Sequence, residues 1–169
     1  MHGNHAIGSP LREYARVSPM TWKPHVTVAV VVERNSRFLI VEELASNGQL
    51  VYNQPAGHLD AGESLINAAV RETREETAWS FIPEALVGIY RWHNADNEST
   101  YLRVCFTGQC TSHDPNQALD TGIARADWLS REELSISERL RSPLVLRCID
   151  DYLAGIRYPL SLLSDLDAH

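Results

Sequence analysis

Long apolar runs, positive charge and paired cysteines are what this chain has least of, and each shortage excludes a class of function. Its longest apolar run, Val26–Val32 (VTVAVVV), falls far short of the ~20 residues a membrane helix requires. The β-branched content makes that run a buried strand instead. Lys and Arg number 15 against 22 Asp and Glu, a formal net charge of −7. Without basic patches, neither long nucleic acid nor an anionic membrane surface is an expected partner, whereas small anions bound through a metal remain open. Cys105, Cys110 and Cys148 form no CxxC pair and no zinc spacing with the seven histidines. They read as free thiols of a reducing compartment, at least two of them simply core or sheet residues, with no function assigned.

The N-terminal stretch MHGNHAIGSPLREYARVSPM lacks the basic-then-apolar order of a signal peptide, so a cytoplasmic protein is expected. Residues 1–22 are expected to be a flexible leader, 23–163 a single domain and 164–169 a short tail. With 169 residues, 44% of them apolar, one compact domain with a real core is the simplest reading, since domains commonly run about 100–200 residues. The oligomeric state is not readable.

A lysine is also lacking where one would be decisive. Gly57–Ser64 reads GHLDAGES, and GxxxxGKS would be a P-loop, in which backbone N–H groups wrap phosphate and the lysine neutralises it. Glu63 in that place would repel phosphate. The stretch is therefore a coincidental turn or a phosphate site of another design, in which acidic residues hold cations and the cations hold the phosphate.

Val26–Glu33 and Arg37–Glu43 are two β-rich runs around Arg34-Asn35-Ser36, which suggests a hairpin. Val51–Asn53 is a short third run. Residues 64–77 contain no Gly or Pro and are rich in Ala, Glu and Arg, so they predict a helix begun by Asp60 or Gly62, with Pro83 beyond its end. Strand character returns at Leu86–Trp92 and Tyr101–Gln109, separated by a turn at Asn94–Ser99. Ala126–Leu129 closes a further strand, Ser130 and Glu133 make a capping box, and Ser142-Pro143 opens a last helix that Gly155 ends. Strands with helices interspersed give an α/β layered domain.

On the helix over 64–77, Glu72, Glu75 and Glu76 stand at i, i+3 and i+4. At about 100° per residue they fall within one arc, next to an arc of Ile66, Ala69, Val70 and Thr73 that packs. Like charges at these spacings cost about 0.2–0.5 kcal/mol per pair unless something offsets them. A hard divalent cation would, since oxygen-rich sites are what Mg²⁺ or Mn²⁺ prefers. Arg71, one turn before Glu75, can orient it. Alone, an ExxEE pattern is more often a solvated charged face.

The whole string GHLDAGESLINAAVRETREETAW changes that reading, because it resembles the Nudix box: Gly57, five residues, Glu63, seven residues, Arg71-Glu72, two residues, Glu75-Glu76. Chance coincidence of these six fixed residues is on the order of 10⁻⁵ for a chain of this size. KPHVTVAVVVE, YNQPAGHLDAGESL and LRSPLVLRCIDDYLAGIRYPL extend the similarity to the NudJ group of that family, over about Lys23–Leu163. The resemblance implies a Nudix-type α/β/α sandwich with a mixed β-sheet and a loop-helix catalytic motif. It carries over Glu72, Glu75 and Glu76 as metal ligands, Gly57 as a carbonyl ligand, Glu63 as loop support and Arg71 as an orienting cation. It further implies Mg²⁺-dependent hydrolysis, with Mn²⁺ as a substitute, of nucleoside di- and triphosphates, hydroxymethylpyrimidine pyrophosphate and thiamine pyrophosphate, releasing orthophosphate. Thr73, Ala78 and Trp79 depart from the family pattern. Glycine is usual where Ala78 stands, and it permits a left-handed helix end, so a different helix exit is expected here.

Family members often add an acidic residue from a distant loop, and Asp120 in LDTGIARADWL is the candidate, against a loop-capping role. Glu98 is a poorer rival. His25 and His58 read as polar core or hydrogen-bonding groups before proton carriers. Tyr90, Trp92, His93 and Tyr101 could stack on a flat ligand, though strand packing is their commoner use. Arg103 and Arg141 are candidate phosphate contacts, with solvated arginine as the default. Two alternatives stand beside the phosphatase: a pyrophosphohydrolase of another nucleoside diphosphate linked to a different moiety, and a non-catalytic nucleotide-sensing domain. A pure sensor could lose the box carboxylates, and here all are present.

Overall fold

Strand β1 (His25–Val31) is apolar on both faces, and each face has its own partner. Val28, Val30 and Val32 pack with Ala68 and Ala69 of the first helix, and Ala29 and Val31 pack with Cys148 and Ile149 of the last. Alternation along one strand thus sets a helix on either side of the sheet. At about 1.5–3 kcal/mol per buried valine side chain, this run anchors the domain. The computed structural model describes residues 21–166. Residues 1–20 of the expected leader and 167–169 of the expected tail lie outside them.

The other elements are β2 (Glu33–Arg34), β3 (Arg37–Leu44), β4 (Leu50–Asn53), β5 (Ala56–His58), α1 (Leu65–Thr77), β6 (Trp79–Asn94), β7 (Ser99–His113), β8 (Ile123–Leu129), α2 (Arg131–Ser135), α3 (Leu144–Leu153) and β9 (Tyr158–Pro159). One sheet runs β5-β1-β7-β6-β9, with β1 and β7 parallel and the other neighbours antiparallel. In the second, β3 pairs with β2, β4 and β8. Mixed strands between helices make the expected α/β/α sandwich.

The hairpin expected from residues 26–43 forms only at its tip. Asn35 and Ser36, with φ of 53° and 60°, join β2 to β3 as a two-residue hairpin loop requires. β1 lies in the other sheet, where Val28 pairs with Val104. The chain changes sheets at Val32, whose carbonyl accepts from Leu39 N at 3.0 Å. Period-two hydrophobicity marks a strand but not its partner.

Ser64, not Asp60 or Gly62, caps α1, accepting from Asn67 N at 3.0 Å. The helix exit is also unlike the expectation: Ala78 keeps the left-handed conformation, φ 58° and ψ 12°. Its N–H donates to Arg74 O at 3.0 Å, and its carbonyl accepts from Asp114 N at 3.0 Å and Arg74 Nη1 at 3.1 Å. β6 begins at Trp79 and carries Pro83 within it at a register shift, which is how a strand accommodates proline. The capping box of α2 and the left-handed Gly155 after α3 are as read from the sequence. Among the described residues, no helix is long and apolar enough to cross a membrane.

Candidate active site

The loop from β5 into α1 and the first turns of that helix are tied together by Arg71. Its Nε and Nη2 grip the two oxygens of Glu63 at 3.1 and 2.6 Å. Nη1 reaches Glu72 at 2.8 Å and Glu75 at 3.1 Å, and Nη2 also takes the His58 carbonyl at 3.1 Å. Arg71 therefore orients Glu75 as expected, but its bidentate partner is Glu63. Glu63 in turn accepts from Asp60 N at 2.8 Å, which closes the loop. This pairing holds the Glu63 carboxyl below its ordinary pKa.

One guanidinium cannot neutralise all the acid here. Burial pushes the Glu72 carboxyl up despite the Arg71 bond, and it pushes Glu76 up to about 9. Glu76 is 6% exposed; its Oε2 accepts from Ala56 N at 2.9 Å, and no cationic side chain among the described residues forms an ion pair with it. Glu43, Glu72 and Asp120 raise it further. Gly57 lies against this group so closely that a Cβ there would stand 2.0 Å from Glu72 Oε1.

The expected residues thus come together at α1 and the strand-helix loop, though not as a closed cage. Among the described residues no three acidic or imidazole groups converge as a preformed metal cluster; Glu72 and Glu75 turn to Arg71, and Glu76 to the β5 backbone. The donor set nevertheless fits a hard divalent ion, because it is all oxygen and its buried carboxyls, Glu72 and Glu76, are pushed up by burial that Arg71 does not offset, so a cation would stabilise their ionised form. Asp120 caps its loop and lies next to the helix that carries the box carboxylates. Its Oδ1 accepts from Thr121 N at 2.7 Å, its own N–H donates to Glu75 O at 2.9 Å, and its charge is felt at Glu72 and Glu76.

Glu98 contacts His93, 3.8 Å away in the β6–β7 turn. His25 stacks on Tyr101 and meets His58 edge-on, and burial lowers the pKa of His58. Tyr90 is engaged by Asp151 at 2.9 Å, away from the carboxylates. Trp92 and Tyr101 stack at 5.6 Å beside a cavity of about 210 Å³. Arg103 lines that cavity and is 8% exposed, so its expected solvation is wrong. Glu43, missed in the sequence, lines it too, paired to Arg141 at 3.3 Å. The signal for Arg103 was its place inside LRVCF, a run too apolar to have a solvent face.

The NUDIX domain family model matches residues 23–147. Over 146 residues the chain is 42% identical to Phosphatase NudJ of Escherichia coli, covering 86% of this chain and 94% of that protein. A NUDIX hydrolase from Nitrosomonas europaea superposes with a TM-score of 0.85 at 51% identity, covering 87% of this chain and 100% of that one. The NUDIX domain of Shewanella oneidensis NrtR, crystallised with ADP ribose, shares the fold at a TM-score of 0.64 and 18% identity, covering 82% and 95%.

Proposed function

Because the chain belongs to the Nudix family, as a Nudix hydrolase, we propose that it cleaves phosphoanhydride bonds of small diphosphates with Mg²⁺, or Mn²⁺ in its place, and releases orthophosphate. The substrate class is nucleoside di- and triphosphates together with hydroxymethylpyrimidine and thiamine pyrophosphates, in the cytoplasm and without a nucleic-acid polymer or membrane partner. The name of the 42%-identical relative, Phosphatase NudJ, supports the phosphatase reading. The observation that carries it is Glu76, a buried carboxyl that has no ion-pair partner among the described residues and sits among Glu72, Glu43 and Asp120.

Glu72, Glu75 and Glu76, with the Gly57 carbonyl, would hold the metal. A divalent ion there supplies neutralisation of the diphosphate oxygens and easier deprotonation of water. Arg71 keeps Glu72 and Glu75 aimed and binds Glu63 to the loop, so the ligands need little reorganisation. The carboxylate left free of metal, or Asp120, takes the proton of the attacking water.

Phosphate and pyrophosphate release should be followed with Mg²⁺, with and without chelator, over nucleoside di- and triphosphates, thiamine pyrophosphate and sugar nucleotides. Chelator-sensitive orthophosphate from the first three is expected. Release of nucleoside monophosphate from the sugar nucleotides alone would replace the phosphatase with a pyrophosphohydrolase, and tight binding without any hydrolysis would leave a sensor.

A further inference from the structure

Four buried side-chain atoms have no hydrogen-bond partner among the described residues: Thr27 Oγ1, Asn53 Oδ1, Arg103 Nε and Ser142 Oγ. All four residues line the 210 Å³ cavity. Folded proteins leave few such atoms, and each calls for an explanation. Here the four residues are 5%, 4%, 8% and 6% exposed, and they come from β1, the end of β4, β7 and the turn before α3. Thr27 and Arg103 are direct partners in the parallel β1–β7 register. Their convergence is built by the fold rather than by one flexible loop.

Arg103 is the most demanding of them. Its Nη1 donates to Gln54 Oε1 at 3.2 Å, and Gln54 is itself fixed through Nε2 to Val145 O at 2.8 Å. No carboxylate among the described residues forms an ion pair with it. Glu43, the carboxylate of the same cavity, is taken by Arg141 at 3.3 Å and by Asn53 Nδ2 at 3.3 Å. Glu43 feels the charge of Arg103 across the cavity, but a buried cation with no directly paired carboxylate is costly, so an anion from outside is the natural complement. The open groups are three donors, one of them charged, and one acceptor. A terminal phosphoryl group carrying one proton offers the complement of that set, with oxygens that can accept from Thr27, Ser142 and Arg103 and a P–OH that can donate to Asn53.

Position points the same way. Gly57 forms part of the cavity wall and also abuts the Glu72 carboxylate, so the cavity and the acidic cluster share a boundary. At about 210 Å³ the space is below the ~300–1,000 Å³ of pockets that enclose a drug-sized ligand. A phosphoryl group fits.

Resting on the hydrolytic reading above, we infer that this cavity seats the terminal phosphoryl group of the substrate, held by Arg103, Thr27 and Ser142, and so selects orthophosphate as the product. Water oxygen bonds to the terminal phosphorus as the bridging P–O bond breaks. The electron pair of that bond stays on the bridging oxygen of the departing nucleotide, and the water proton passes to a carboxylate and then to solvent. Arg103 is the specificity determinant: it chooses which phosphorus lies beside the acidic cluster.

The test begins with inorganic phosphate alone, in chelator, titrated calorimetrically into the wild type, Arg103→Met and Arg103→Lys. Arg103→Met should weaken phosphate roughly 10–100-fold, the size of a lost charge-assisted hydrogen bond, and should melt higher than wild type when no anion is present. With Mg²⁺, its KM for a nucleoside triphosphate should rise by a similar factor with kcat less affected, and pyrophosphate should gain on orthophosphate among the products. Arg103→Lys should restore part of the binding. Wild-type phosphate affinity and an unchanged product ratio in Arg103→Met would overturn the assignment. Should that variant not fold, Ser142→Ala and Thr27→Val must each weaken phosphate several-fold, and unchanged affinity in both would also overturn it. Phosphate bound through Arg103 in an enzyme that hydrolyses none of these substrates would support the seat and sink the hydrolytic reading instead.

Discussion

The arginine–carboxylate cluster around Arg71 and the one around Glu42 use the same groups in opposite proportions. Glu42, on β3, receives Arg125 Nε at 2.8 Å and Arg139 Nη1 at 2.6 Å, and Arg125 also holds Asp127 at 3.1 Å. Charge there is balanced, and the two guanidinium groups keep the Glu42 carboxyl below its ordinary pKa. Arg71 alone faces Glu63, Glu72 and Glu75, with Asp60 at 3.6 Å and Glu76 outside its reach. There burial wins, and Glu72 and Glu76 are pushed up. A balanced cluster is complete when the chain folds. On the function proposed above, the deficient one is completed by a divalent cation from solution, and that deficit is what would separate a site from a strut.

Glu76→Gln strikes the deficit directly and should have the largest effect, a fall in turnover on the order of 10²–10³-fold at saturating Mg²⁺, comparable to losing one preorganised electrostatic contact. Circular dichroism should find the fold intact. Wild-type rates would remove Glu76 from the ligand set. In chelator the same residue sets a pH dependence. Its folded pKa is raised from 4.5 to about 9, so its contribution to stability is full below 4.5 and lost as pH rises toward 9. Melting of the metal-free protein should therefore fall across that window, and Glu76→Gln should flatten the slope. Glu42 runs the other way: its pKa is lowered, so its contribution is full above 4.5 and lost as pH falls below it.

Arg71→Lys should come next, with kcat reduced roughly 10–100-fold, because an ammonium cannot hold the two Glu63 oxygens and still reach Glu72 and Glu75. Glu42→Gln should leave turnover alone and cost about 1–2 kcal/mol, read in urea denaturation; the two arginines stay half in water, which limits the loss. An active-site phenotype for Glu42→Gln would abolish the distinction between the clusters.

The deficient cluster was more legible than the balanced one. Its residues lie within Gly57–Glu76, and helical spacing alone puts Glu72, Glu75 and Glu76 on one arc. Glu42 meets Arg125 and Arg139 across sequence gaps that carry no local pattern, and nothing in EEL marks which of Glu42 and Glu43 faces a strand partner and which faces the cavity. The same blindness to long-range pairing put β1 and β3 in one hairpin. Arg103 was read as solvated because arginine usually is, although its apolar neighbours already denied it a solvent face. Where local physics decides, as at the Ser130–Glu133 capping box, sequence and structure agree.

Ala78→Gly asks whether backbone strain at the end of α1 also sets the site apart, and its expected effect is the smallest. Gly155 adopts φ 79° after α3 at no steric cost, whereas Ala78 does so at φ 58° with a side chain. Replacing it relieves about 1–2 kcal/mol of left-handed strain. Glycine gives back about 0.5–1 kcal/mol in chain entropy, and loss of a methyl on a residue only 1% exposed gives back about 0.8 kcal/mol more. The net change should lie within about 0.8 kcal/mol of zero, a shift in Tm of under about 3 °C for a domain of this size, with kcat unchanged. Stabilisation well beyond that would mean that the exit stores strain its hydrogen bonds to Arg74 and Asp114 do not offset. A drop in kcat would mean that the Ala78 methyl helps position Glu75 and Glu76, and the difference between the two clusters would then be one of backbone as well as charge.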